Sequence, residues 1–209
     1  MNILRKPFKY TYKNTVSLII GINAAVFLLT SVFFNFQLYL GLIPLYIIKY
    51  DMYWQFLTYQ FVHENFFHLL FNMIALVFFG IPVERKMGSK EFLLYYLLIG
   101  TLCGILSFLV YISLGIYNIN LIGASGAVFG ILLLYAVLFP SSVIYLWGVL
   151  PIPAPLLILG YAVIEVISIF SANDGVAHLT HFIGLFAGWL YILIRFGINP
   201  FKIWNSINR

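Results

Sequence analysis

Six long apolar runs, separated by short polar or proline-marked connectors, outline this chain. They cover residues 16–34, 66–83, 92–114, 124–139, 156–170 and 176–196. Most approach the roughly 20 residues that a helix needs to cross a bilayer. Between the first two runs, residues 35–62 mix aromatic side chains with Pro44, Lys49 and Asp51. That stretch reads as a partly embedded interfacial segment, unable to span as one helix. Residues 84–91 carry five charges and predict the clearest loop of the chain. Residues 140–155 are apolar but broken by Pro140, Pro151, Pro153 and Pro155, which predicts a turn in or at the interface. Residues 171–175 predict a tight loop in which Asn173 or Asp174 caps the following helix. The expectation is an all-α membrane protein: a six-transmembrane-helix bundle over residues 15–197, preceded by a segment at 1–14 and followed by a tail at 198–209.

Composition strengthens this reading. Hydrophobic residues make up 63% of the chain and charged residues 8%, which excludes an ordinary soluble domain. The net charge of +5 is not a nucleic-acid signal, because the bases flank the apolar runs, where they set orientation. With six spans, ten of the eleven Lys and Arg residues fall on one side and only Lys49 on the other. That partition predicts a multi-pass protein of the cell membrane with both termini cytoplasmic. The basic start followed by a long apolar run reads as a first span rather than a cleaved signal, and the lack of a Ser/Arg-rich leader points to a prokaryotic plasma membrane. The single Cys103 excludes an internal disulfide framework and a Cys-based zinc site.

The expected topology changes the meaning of the few polar residues inside the runs. Runs two, four and six all enter the membrane from the outer side. His68 and Asn72 lie near the start of run two, Ser125 at the start of run four, and His178 and His181 near the start of run six. Polar groups are costly inside a bilayer, and several at one depth are a functional signal. Run four from Ser125 to Phe139 is only about 22 Å of helix against a hydrocarbon core of about 30 Å, so Ser125 is expected below the outer surface. A serine hydroxyl becomes a nucleophile when a neighbouring histidine accepts its proton. At a helix start, free backbone N–H groups and the dipole favour its oxyanion. His68 and Asn72, four residues apart, share a face and would donate to that oxyanion. Gly123 and Gly126 leave room for a substrate backbone. Gly126/Gly130 and Gly184/Gly188 form two small-xxx-small patterns that let two helices approach closely. His181 lies three residues before Gly184 and shares its face, which selects it over His178 as the base.

The motifs Gly123-Ala124-Ser125-Gly126, His181-Phe182-Ile183-Gly184 and His63-x4-His68-x3-Asn72 together resemble those of the rhomboid intramembrane serine proteases, over about residues 54–188. The resemblance implies a Ser125–His181 dyad, with His68, Asn72 and the Ser125 backbone N–H as the oxyanion hole. Phe129 matches a position where family members often place an aromatic ring against the catalytic histidine. The Trp-Arg pair frequent in the family's first loop is absent. The resemblance also implies single-pass membrane proteins as substrates, cut near the outer face, and no cofactor or metal.

Other assignments stay open at this level. His63 and His178 read as structural or interfacial, accessory to the site. Glu165, the one carboxylate well inside a run, either pairs structurally, orients a histidine as a third member, or lines the lateral opening. A catalytically inactive relative that binds transmembrane helices would be expected to lack Ser125 or His181, and both are present. A metal or haem protein using His63, His68, His178 and His181 is the third reading, weakened by the lack of Cys or acidic partners nearby in sequence. Partners beyond the lipid bilayer and membrane-protein substrates are not indicated, and oligomeric state has no sequence signal.

Overall fold

The computed structural model describes residues 5–6, 8–146, 148–171 and 177–207. The caps expected at Asn173 and Asp174 lie outside the described residues. The chain is a helical bundle arranged around one nearly all-apolar helix, α8 (Ser125–Leu138). A helix apolar on every side must be covered on every side, and ten of its fourteen residues are buried. Packed against it are α5 (Phe66–Ala75), α7 (Ser89–Ser113), α9 (Ala154–Ser171) and α10 (His178–Tyr191), and α1 (Thr15–Val32) stands against α5 and α7. A π-helical turn, Leu76–Gly80, joins α5 to α6 (Ile81–Met87), and a second, Ile192–Phe196, extends α10. Among the described residues, five helical segments are long and apolar enough to cross a membrane: Thr15–Val32, Phe66–Met87, Ser89–Ser113, Ala154–Ser171 and His178–Phe196. The central α8 is shorter, at 14 residues.

The segment between the first two spans folds into short pieces: α2 (Phe34–Leu40), α3 (Pro44–Tyr50) and α4 (Gln55–Thr58). The buried Gln55 ties them together. Its Oε1 accepts from the Ile43 N–H at 2.9 Å and its Nε2 donates to Leu38 O at 3.0 Å. Leu42 and Leu121 exchange backbone hydrogen bonds at 2.9 Å, which fastens this segment to the connector leading into α8. The Tyr59 hydroxyl, fully buried, donates to Gly100 O at 2.7 Å.

Two sequence expectations require correction. Residues 84–91 are not a loop: α6 runs to Met87 and α7 begins at Ser89, with the single Gly88 between them at φ +88°. The two carboxylates of this stretch are satisfied inside the protein, while Arg85, Lys86 and Lys90 are exposed. Glu84 is fully buried and accepts the Thr15 and Val16 N–H groups at 2.7 and 2.9 Å, neutralising the start of α1. Ser89 Oγ also donates to it. Glu91 takes a bidentate pair from Arg195 at 2.6 and 2.7 Å and the Tyr191 hydroxyl at 2.5 Å. The fold is also not wholly α-helical. Residues 140–155 contain an antiparallel hairpin of β1 (Val143–Leu146) and β2 (Leu150–Pro153), with Ile144 opposite Ile152. Prolines lack the N–H needed in a central strand, but a two-stranded ribbon consists of edges and accommodates Pro151 and Pro153. The last described helix is α11 (Pro200–Ile207), whose Trp204 donates from Nε1 to Ala136 O at 3.0 Å.

The contact of α8 with α10 is close enough to require glycine. A Cβ at Gly184 would strike the Gly126 carbonyl, and one at Gly188 would stand 3.2 Å from Gly130 Cα. Tyr95 on α7 locks the pair from the side, donating to Gly130 O at 2.6 Å. Ser107 and Thr180 share a hydrogen bond of 2.9 Å between α7 and α10.

Candidate active site

The glycine contact determines what lies at the start of α8. With the backbones of Gly126 and Gly184 touching, the first turns of α8 and α10 are held side by side, and Ser125 faces His181. Ser125 Oγ lies 2.7 Å from His181 Nε2. The imidazole is fixed on two further sides. Its face stacks on Phe129, one turn along α8, with ring centroids 4.5 Å apart and planes 10° from parallel. Its Nδ1 lies 3.2 Å from Glu165 Oε1 on α9. Tyr161 meets Phe129 edge to face at 5.7 Å. Sequence reasoning passed over Tyr161, although it sits four residues before Glu165 and so shares its face.

His178, one turn before His181, approaches the other oxygen of the same carboxylate, with Nδ1 2.6 Å from Glu165 Oε2. Glu165, His178 and His181 thus form one cluster, and their ligand-type atoms lie within 4.8 Å of one another. Among the described residues this group, rather than the four histidines considered from sequence, has metal-ligand geometry. Both Nδ1 atoms face the carboxylate, so each of its oxygens has a histidine partner.

The opposite wall comes from α5 and the connector. Asn65 caps α5 by accepting the His68 N–H at 2.9 Å. Gly123 adopts φ +119°, a conformation that side-chain-bearing residues avoid. A Cβ there would sit 2.7 Å from His68 Nε2 and 3.8 Å from Ser125 Oγ. His68 and Ser125 therefore border the same small space, which only glycine leaves open. Gly123 is held by its N–H, which donates to Tyr59 O at 3.1 Å, so the segment that follows α4 positions this turn. Asn72 is buried, and its amide donates one hydrogen to His68 O at 2.9 Å on its own helix; the amide's second hydrogen is not used by that bond.

His63 stands behind His68, with ring centroids 5.0 Å apart. It is 2% exposed, and among the described residues neither ring nitrogen has a hydrogen-bond partner of ordinary geometry. Burial, with His68 adding to the effect, pushes its imidazole down to about 3, so it is neutral at physiological pH. Its position supports His68 rather than Ser125.

The arrangement combines a hydroxyl at a helix start, an imidazole within hydrogen-bond reach and a side chain capable of donation across a small gap. Those are the parts of acyl-transfer chemistry. A rhomboid-domain family model matches residues 50–198. The chain is 36% identical over 150 residues to RHOMBOID-like protein 4 of Arabidopsis thaliana, covering 71% of this chain and 36% of that protein. It is 34% identical over 151 residues to Rhomboid protein 1, mitochondrial, of Saccharomyces cerevisiae, covering 70% and 42%. To the putative rhomboid protease YdcA of Bacillus subtilis it is 31% identical over 139 residues, covering 66% and 64%. The chain thus spans between about one third and two thirds of the length of these relatives. With its Ser-containing turn, its paired histidine helix and a domain match over most of its length, this multi-pass membrane protein belongs to the rhomboid family.

Proposed function

We propose that the protein is an intramembrane serine endopeptidase that cleaves transmembrane segments of single-pass membrane proteins near the outer face. The observation that carries this reading is the 2.7 Å approach of Ser125 Oγ to His181 Nε2 at the start of a buried helix. In the proposed reaction His181 Nε2 accepts the Ser125 proton as Oγ bonds to the scissile carbonyl carbon. The carbonyl π pair moves to oxygen, and the resulting oxyanion is held by the Ser125 backbone N–H with donation from His68 and Asn72. Collapse breaks the C–N bond, and the imidazolium gives its proton to the leaving amine. Water then attacks the acyl ester, losing its proton to His181 and releasing the acid with Ser125 restored.

The reading includes α8 as a sixth crossing. At 14 residues it is about 21 Å long, short of a core of about 30 Å, so its start lies below one surface, where Gly123 and the connector admit water. The asymmetry of Lys and Arg supports cytoplasmic termini in a cell membrane, although the matched relatives include a mitochondrial one. No cofactor enters the reaction.

The test uses purified protein in liposomes with a model single-pass substrate, alongside Ser125→Ala and His181→Ala. The parent is expected to cleave and neither variant to do so. Cleavage that persists in both variants, or that a chelator abolishes, contradicts the serine reading.

A further inference from the structure

A carboxylate inside an apolar helix costs several kcal/mol unless every oxygen finds a partner. Glu165 lies in the middle of α9, in the apolar stretch Tyr161-Ala162-Val163-Ile164-Glu165-Val166-Ile167, and is 5% exposed. Both its oxygens are used on α10, and on two residues spaced one turn apart. Oε2 meets His178 Nδ1 at 2.6 Å and Oε1 meets His181 Nδ1 at 3.2 Å. If the role were only to join α9 to α10, one histidine would be enough. Here the second histidine is the one whose far nitrogen touches Ser125.

We infer that Glu165 is the third member of a Ser125–His181–Glu165 triad, and that His178 fixes the carboxylate in place by occupying its second oxygen. This rests on the serine-protease reading of the same site. A neutral imidazole carries one ring proton, and which nitrogen holds it is set by the hydrogen bond at the other. Glu165 accepts only, so it draws the His181 proton to Nδ1. Nε2 is thereby left with a free lone pair, the form able to accept the Ser125 hydroxyl proton. Without the carboxylate, the alternative tautomer carries its proton on Nε2 and cannot act as base. When Nε2 takes the serine proton, the positive charge that forms on the ring faces the Glu165 anion, while the Nδ1 proton stays where it is. The stack on Phe129 sets the plane of the ring, and Glu165 sets its rotation within that plane. His178 takes the shorter of the two bonds, which makes Glu165 a fixed acceptor. Glu165 and His178 act through His181 and are positioning residues. Among the described residues, the titratable groups around this cluster are His178 and His181 on α10, Tyr161 on α9 and His68 on α5.

The experiment measures kcat and KM for the liposome-reconstituted parent, Glu165→Gln and Ser125→Ala, with thermal unfolding as a control for folding. Glu165→Gln is expected to lower kcat about a hundredfold with little change in KM. A purely structural link would change stability without that split between kcat and KM. Glu165→Gln within about twofold of the parent in kcat overturns the triad. A parent no faster than Ser125→Ala removes the serine-protease reading itself, and the triad with it. Ring nitrogen-15 NMR of the histidine-labelled parent, with His181 assigned through His181→Ala, needs no folded Glu165 variant. A neutral His181 protonated on Nδ1 supports the triad, and one protonated on Nε2 overturns it.

Discussion

The two ends of α10 bury carboxylates in opposite ways. At its C-terminal end, Arg195 and Tyr191 close on Glu91 with three hydrogen bonds from donors that keep their protons at any physiological pH. Nearby, Glu84 accepts two backbone N–H groups and a serine hydroxyl. At the N-terminal end, about 20 Å away along the helix, Glu165 meets two imidazoles, one of which exchanges a proton at its far nitrogen in the proposed reaction. The first arrangement fixes charge and thereby fixes helices. The second holds charge beside a group that must change its protonation state during the proposed reaction. A buried carboxylate therefore signals function through the chemistry of its partners, and burial alone does not distinguish the two ends.

The comparison can be broken most severely at the end that carries the proposed dyad. Ser125→Ala and His181→Ala are each expected to reduce cleavage to background, roughly a thousandfold or more, while the folded fraction stays near that of the parent by size-exclusion chromatography. Next comes the contact that holds the two residues together. Gly184→Ala drives a methyl into the Gly126 carbonyl and shifts α10 away from α8. A displacement of about 1 Å is expected to cost roughly a hundredfold in kcat/KM, besides about 1–3 kcal/mol of stability. Glu91→Gln sharpens the contrast from the other end. It removes the carboxylate charge that Arg195 and Tyr191 close on and is expected to lower unfolding stability by about 3 kcal/mol, with kcat per folded molecule unchanged. A Glu91→Gln variant that instead loses activity at full stability would erase the distinction between the two ends. The smallest effect is expected of Phe129→Ala, which removes the ring beneath His181. A loss of about 1 kcal/mol of ring contact predicts a roughly fivefold lower kcat, read from initial rates.

The same contrast explains what the sequence could disclose. Apolar runs report the spans directly, because the length and composition needed for a bilayer are local properties. The glycines at 126, 130, 184 and 188 point to a close helix pair, since their spacing is local to each helix. Partnerships across the chain leave no such mark. Glu91 and Arg195 are 104 residues apart, so residues 84–91 read as an exposed loop when they are two helices with inward carboxylates. The hairpin at 143–153 was hidden among apolar residues and prolines that serve a strand edge and an interfacial turn equally well. For Glu165, the sequence shows a carboxylate out of place in a span. That its two oxygens meet two histidines one turn apart depends on the angle between α9 and α10, which no local pattern encodes.

The proposed reaction makes Ser125 a nucleophile activated by His181. Its most direct test is intact-mass analysis of the bilayer-reconstituted protein after exposure to a fluorophosphonate that esterifies activated serines. A single adduct on Ser125, absent from His181→Ala, is the predicted result. An unmodified Ser125 in a preparation that cleaves substrate, or equal labelling when His181 is replaced, would contradict it.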